Sequence, residues 1–95
     1  MSQTASYNAV ITVVGHDRVG IIAEITRILA DANINILDIS QTILQDVFTM
    51  IMLVDTENMA LTNDALRQQL AKLGASLNLN IQLQHKDIFN AMQRI

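Results

Sequence analysis

The chain lacks cysteine, proline and tryptophan altogether, and it has only three glycines among its 95 residues. Without cysteine, disulfide frameworks, thiolate metal sites and cysteine nucleophiles are excluded. Without proline, and without repeats or low-complexity linkers, nothing in the sequence indicates an internal domain boundary. We therefore expect one small domain, which at this length can bury a modest core without covalent cross-links.

Positive charge and aromatic side chains are also scarce. The chain has six basic and nine acidic residues, for a net charge of −3. Its aromatic residues are Tyr7, Phe48 and Phe89. Binding of nucleic acid depends on basic surfaces and stacking platforms, so no nucleic-acid partner is expected. The N-terminal segment lacks the basic and apolar regions of a signal peptide, and no apolar run approaches the ~18 residues that span a bilayer. We expect a soluble, cytoplasmic protein without a membrane partner.

Apolar residues make up 51% of the chain and follow clear periods. The β-branched run from Asn8 to Val14 predicts a buried strand that ends at Gly15. After Gly20, apolar residues recur at helical spacing and predict an amphipathic helix. They are Ile21, Ile22, Ile25, Ile28, Leu29 and Ala32.

Residues 34–84 contain the remaining predicted elements. Two apolar runs, residues 34–44 and Val47 to Asp55, flank the polar pair Gln45-Asp46 and predict a hairpin. Thr62 is the predicted N-cap of a second helix, which ends near Gly74 or Leu77. Alternation over residues 78–84 predicts a last strand, with Leu79, Ile81 and Leu83 on one face.

The two ends of the chain are expected to differ from the domain between them. Residues 1–6 are predicted to be a disordered tail and residues 7–85 the folded domain. Residues 86–95 are predicted to form a short C-terminal helix, with Asp87 as its cap. Its apolar stripe would consist of Ile88, Phe89, Met92 and Ile95.

The order β-α-β-β-α-β predicts an α+β protein of the ferredoxin-like class, with two helices on one face of a four-stranded antiparallel sheet. The strand from Val47 to Asp55 is apolar on both of its sides. A second apolar side requires cover, either from the terminal helix or from another subunit, since exposed patches of this kind mark interfaces. We expect a homodimer.

The strand-to-helix loop contains the most unusual cluster of polar residues: His16, Asp17, Arg18, Val19 and Gly20. Free backbone N–H groups at a helix N-terminus favour an anionic ligand group such as a carboxylate. A simple tight turn with solvated charges is the alternative interpretation. The glycine spacing matches neither a dinucleotide fingerprint nor a phosphate-binding Walker loop.

Two further chemical interpretations are weaker. His16 and Asp17, together with His85 and Asp87, could in principle assemble a metal site, but two such pairs on different loops more often remain ordinary surface residues. The hydroxyl residues Ser40, Thr42 and Thr49 lie in strand patterns without a sign of an activating base. We therefore predict no metal site, no cofactor and no catalytic residue.

Residues 13–43, from Val13 through Asp17, Gly20 and the Asn-Ile-Asn-Ile stretch, resemble the opening of an ACT domain. This small ferredoxin-like module binds amino acids in many metabolic regulators. The resemblance continues to about Gln84, and residues 86–95 are similar to the tail of stand-alone ACT proteins. These are the small proteins related to the glycine-cleavage repressor and to the N-terminal module of formyltetrahydrofolate deformylase.

The resemblance implies a ligand site at a subunit interface. Asp17 and the amide of Gly20 would line it from one chain, and Asn35 with Ile36 from the other. Asp17 could accept from an α-ammonium group, while Asn35 both donates and accepts hydrogen bonds. The family loop commonly has proline before the helix glycine, whereas this chain has Val19, which keeps its N–H group and presets the loop less.

The function expected from this resemblance is a non-enzymatic regulatory module that binds an amino acid or related metabolite at a homodimer interface and signals to an unidentified partner protein. One alternative is a dimerisation module without a ligand. A second is an acylphosphatase-like hydrolase, in which Arg18 would hold phosphate. The neighbouring Asp17 would repel phosphate and argues against that alternative.

Overall fold

The computed structural model describes residues 7–16 and 20–87, and these form an α+β sandwich. Four strands build one antiparallel sheet in the order β2-β3-β1-β4, which is the ferredoxin-like arrangement predicted from the sequence. In chain order, the elements are β1 (Ala9–His16), α1 (Ile21–Asp31), β2 (Asn35–Leu44), β3 (Val47–Asp55), α2 (Asn63–Leu77) and β4 (Asn80–His85).

The core lies between the two helices and one face of the sheet. β1 pairs with β3 in a register that sets Ile11 opposite Met52 and Val13 opposite Met50, and all four side chains are fully buried. Because side chains alternate along a strand, this register places every second residue of both strands under the helices. α1 covers them with its predicted stripe, of which Ile21, Ile25 and Leu29 are buried.

The first strand is longer than its sequence pattern predicted. It does not end at Gly15 but continues to His16, because Gly15 pairs with Phe48 and His16 with Val47 on β3. Gly15 contributes to packing rather than to a turn, because it leaves room for the side chain of Leu79. A Cβ atom there would collide with the side chain of Leu79, which precedes β4.

The second helix begins and ends as its sequence predicts. The Thr62 hydroxyl accepts a hydrogen bond from the Ala65 backbone N–H at 3.1 Å, which satisfies one of the free donors of the first turn. The helix ends at Leu77, and Asn78 follows in the left-handed conformation with φ 59°. Gly74 is therefore not the end of the helix but a buried position inside it.

The outer face of the sheet, opposite the helices, is unevenly covered. Val10 on this face is fully buried, whereas Val14 and Val47 near the other end are exposed. Ile51 and Leu53 are half-buried, so β3 does have a second apolar side. The predicted tail helix that would cover this face lies mostly outside the described residues.

The cap predicted at Asp87 is instead provided by His85. Lys86 and Asp87 have helical backbone, and the Nδ1 atom of His85 accepts a hydrogen bond from the Asp87 N–H at 3.1 Å. The predicted tail 1–6 and residues 88–95 of the predicted terminal helix lie outside the described residues. Among the residues that the structure describes, no helix is long and apolar enough to cross a membrane.

The buried glycine of α2 supports a stability prediction. A Cβ atom at position 74 would lie 2.8 Å from the backbone oxygen of Leu79. Although alanine is the better helix former, the backbone at Leu79 would have to move, and overpacking of this kind typically costs about 1–3 kcal/mol. We expect Gly74→Ala to lower the free energy of unfolding in urea titrations. Gln68→Ala, on the exposed side of the same helix, should change it by less than about 0.5 kcal/mol.

Candidate functional site

The N-terminus of α1 is the centre of the first predicted site segment. Gly20 precedes the helix with φ 90° and ψ −2°, a left-handed conformation that side chains rarely adopt, and its carbonyl accepts the first helical hydrogen bond from Glu24. Gly20 has no side chain to cap the helix. Within the described residues, no side chain accepts from the first-turn N–H groups, which can therefore serve an acceptor from outside the helix.

His16 lies beside this helix end, at the last position of β1. It is exposed, and its Nδ1 atom lies 3.2 Å from the carbonyl oxygen of Asp46 and 3.7 Å from the Asp46 carboxylate. Asp46 belongs to the turn between β2 and β3. This contact was not predicted, because it joins residues 30 positions apart and depends on the β1–β3 register.

Asn35 and Ile36 form the second predicted segment, at the start of β2. Asn35 is exposed and pairs with Asp55, while Ile36 is half-buried against the core. The register of β2 against β3 shifts between Ile36 and Asp38, so Leu37 is an extra residue in the strand. An extra residue bends a strand and redirects nearby side chains, and it left no signal in the sequence.

The two segments lie at opposite ends of the sheet within one chain. His16 pairs with Val47 at the first residue of β3, whereas Asn35 pairs with Asp55 at its last. The eight steps along the extended strand from Val47 to Asp55 span roughly 26 Å. One chain alone therefore does not bring its two predicted site segments together.

The strand between these segments is an exposed edge of the sheet. β2 has β3 on one side only, and every residue from 38 to 47 is exposed. Three large apolar side chains lie on it: Ile39, Ile43 with 52% exposure and Leu44 with 72%. A long edge strand with apolar side chains is a template for pairing with another chain. The sequence pattern of β2 showed its extended conformation but not its position at the edge.

The two histidines of the alternative metal site lie far apart. His16 is at one end of β1, and His85 pairs with Ala9 at the other, so roughly 23 Å of strand separates the two histidines. The described residues contain no group of three potential metal ligands. Ser40 and Thr42 lie on the outer face opposite Ile51 and Thr49.

Residues Asp17, Arg18 and Val19 lie outside the described part of the chain. The contact of Asp17 with a ligand ammonium therefore stays a prediction, as does the alternative that Arg18 holds phosphate in a hydrolase. The structure does describe both residues that flank this loop. His16 and Gly20 place its ends at the top of β1 and at the start of α1.

Comparison with known proteins agrees with this architecture. The family model for the ACT domain matches residues 8–84. A UPF0237 protein of Methanococcus maripaludis is 50% identical over 88 residues, which are 93% of this chain and 98% of that protein. The chain belongs to the ACT domain family, and the resemblance seen in its sequence is confirmed.

Solved structures extend the agreement to three dimensions. An ACT domain protein from Streptococcus pneumoniae superposes with a TM-score of 0.75 at 38% identity, covering 88% of this chain and 94% of that one. A putative glycine cleavage system transcriptional repressor superposes with a TM-score of 0.67 at 30% identity, covering 83% of this chain and 45% of that one. ACT domains are typically regulatory modules that bind ligands.

The conformation of Gly20 leads to a prediction at the site itself. A Cβ atom at position 20 would meet no atom of the described residues within 4 Å, so the backbone angle is what opposes a substitution there. Gly20→Ala should therefore lower the free energy of unfolding by about 1–2 kcal/mol without loss of fold. Gly20→Asn should cost less, because asparagine tolerates left-handed angles. Equal losses for the two variants in urea titrations would contradict this account.

Proposed function

We propose that this protein is a non-enzymatic regulatory module that binds an amino acid or a related small metabolite between two copies of the chain and passes the bound state to a partner protein. The observation that carries the proposal is the placement of its site segments. The segments lie at opposite ends of one sheet, and the exposed strand β2 runs between them.

Pairing of β2 with the same strand of a second copy would bring the segments together. In an antiparallel pair with its two-fold axis at the middle of β2, Asn35 of the second copy lies opposite Leu44. Leu44 pairs with Val47, and Val47 pairs with His16. Three strand spacings, about 14 Å, then separate Asn35 of one copy from His16 of the other. Leu44 and Val47 lie between these residues in the sheet, and a bound amino acid with side chains from both copies could span this distance above the strands.

The groups at this junction suit an amino acid. The N-terminus of α1 offers backbone N–H donors to a carboxylate, and Gly20 allows close approach because it has no side chain. Asp17 is the acceptor that we assign to the ammonium group, and the amide of Asn35 is able to donate to one ligand group and accept from another. A zwitterion needs both kinds of partner.

The same pairing would bury apolar surface. Ile39, Ile43 and Leu44 are exposed on β2, and a second copy would cover them while satisfying the unpaired backbone groups of the edge. The association is therefore stabilised by main-chain hydrogen bonds as well as by the hydrophobic effect. These features also support the alternative in which the chain only dimerises.

A charged residue on β2 tests the subunit contact. Ile43→Lys places an ammonium group on the pairing edge, where an approaching strand would have to desolvate it. We expect this variant to have the molar mass of a monomer in light scattering, while the unchanged protein has that of a dimer. Ala75→Lys, at an exposed position on α2, should remain dimeric. A dimeric Ile43→Lys variant would show that β2 is not the interface.

Thermal denaturation against a panel of amino acids tests ligand binding. At about a hundredfold excess over Kd, a ligand specific for the native state adds about 2.7 kcal/mol and raises the melting temperature by several degrees. We expect one or two amino acids to do so, and Asn35→Ala to abolish the shift. Asn80→Ala, another exposed strand asparagine, should keep it.

The outcomes of these two experiments distinguish the candidate functions. A dimer that no amino acid stabilises would favour the dimerisation module without a ligand. A shift that survives in Asn35→Ala would place the ligand elsewhere on the protein.

A further inference from the structure

A small polar cavity lies at the other end of β1, away from the candidate amino-acid site. It has a volume of about 60 Å³, enough for a few water-sized groups, and it opens between the beginning of β1, the beginning of α2 and the end of β4. Of the described residues that line it, none carries a carboxylate. The polar ones are Asn8, Thr56, Asn63, Arg67 and His85.

The hydrogen bonds of Asn8 determine which atom of its side-chain amide can bind a ligand. Its Oδ1 atom accepts hydrogen bonds from both the backbone N–H and the hydroxyl of Thr56, at 3.0 and 3.1 Å. Its backbone is fixed as well, because its N–H donates to Val54 and its carbonyl accepts from Lys86. With Oδ1 engaged, the side-chain Nδ2 group is the part of the amide that is left to serve a ligand, and it is a donor.

The hydrogen bond of His85 indicates which of its two ring nitrogens carries the proton. Its Nδ1 atom accepts a hydrogen bond from the Asp87 backbone N–H, so the ring proton of the neutral imidazole is on Nε2. The Asp87 carboxylate lies 3.7 Å from the same Nδ1 atom, on the side of the ring that Nε2 does not occupy. With that proton on Nε2, His85 is a second donor among the residues that line the cavity.

Arg67 supplies the positive charge. Its Nη2 atom donates to the carbonyl of Leu83 at 3.3 Å, which ties the guanidinium to β4 and leaves further N–H groups for a ligand. Within residues 7–16 and 20–87, Arg67 forms no salt bridge. The lining thus combines the permanent cation of Arg67 with the Asn8 amide and the His85 imidazole as further donors, a set that matches a small anion with a single charge.

A larger groove of about 320 Å³ adjoins the cavity along α2 and β4. The two spaces share Arg67 and Leu83 as lining residues, and Leu70, Ala71 and Ile81 add apolar surface to the groove. An anion held at Arg67 could therefore extend a short apolar chain into the groove. Within residues 7–16 and 20–87, no carboxylate lines the cavity to receive an ammonium group, which disfavours an amino acid.

We infer that this cavity is a second ligand site, which binds a small aliphatic monocarboxylate through Arg67, His85 and Asn8. The site lies against β4, whereas the proposed amino-acid site involves β2, the strand at the opposite edge of the sheet. The two sites do not share a residue, so either proposal can fail without the other.

The inference is tested by titrating the isotope-labelled full chain with sodium butyrate and following amide and side-chain resonances by NMR. We expect saturable shifts at the Asn8 side-chain amide, the Arg67 Nε–H and the His85 ring. Arg67→Gln should weaken binding by about tenfold or more, because the charge-assisted hydrogen bonds are lost, and Arg67→Lys should recover part of it. Arg27→Gln, an exposed arginine of α1, is the matched control and should bind like the unchanged protein.

A second variant separates donor loss from a failure to fold. Asn8→Asp keeps an oxygen for Thr56 but replaces the Nδ2 donor with negative charge, so we expect no butyrate binding while the spectrum stays dispersed. Inorganic phosphate and an amino acid such as alanine serve as competing probes. Tighter binding of either at these resonances would overturn the assignment to a monocarboxylate. Absence of saturable shifts, or equal affinity in Arg67→Gln, would overturn the site itself.

Discussion

The antiparallel pairing of β1 with β3 is the constraint on which the rest of the molecule depends. These two strands form the centre of the sheet, and their register decides which side chains lie under the helices. A slip of β1 by one residue would turn Ile11 and Val13 to the outer face and remove them from the core. The same register places His16 beside the β2–β3 turn and Asn8 beside the end of β3. Both ligand sites that we propose are thus fixed by one strand pairing.

Local periodicity was sufficient to predict the elements of this fold. The apolar stripe from Ile21 to Ala32 and the alternation in β4 predict which side chains are buried. The hydroxyl residue Thr62 predicts where the second helix begins. The errors arose where a glycine served packing rather than a turn. Gly15 was interpreted as the end of β1, whereas its missing side chain makes room for Leu79. Such a cause depends on a residue distant in sequence, which no local pattern contains.

The candidate site was predictable only in part, for the same physical reason. Gly20 could be placed before α1 from its sequence position, and the structure adds the left-handed angle that glycine tolerates. The contact between His16 and Asp46, the extra residue Leu37 and the exposure of β2 all depend on strand order. Strand order depends in turn on the total burial of the core rather than on any single segment. Only the resemblance to ACT domains suggested that Gly20 and Asn35 belong to one site, because the two segments lie at opposite ends of the sheet within one chain.

The hydrogen bond between the Lys86 N–H and the Asn8 carbonyl has an architectural consequence. It holds the beginning of β1 next to the end of β4, so that residues 8 and 86 are neighbours in space. A domain whose ends are adjacent can be inserted into a loop of a larger protein without separating the two ends of that loop. The same arrangement allows such domains to follow one another along a longer chain. The putative repressor that superposes with this chain over 45% of its own length has room for more than one such unit.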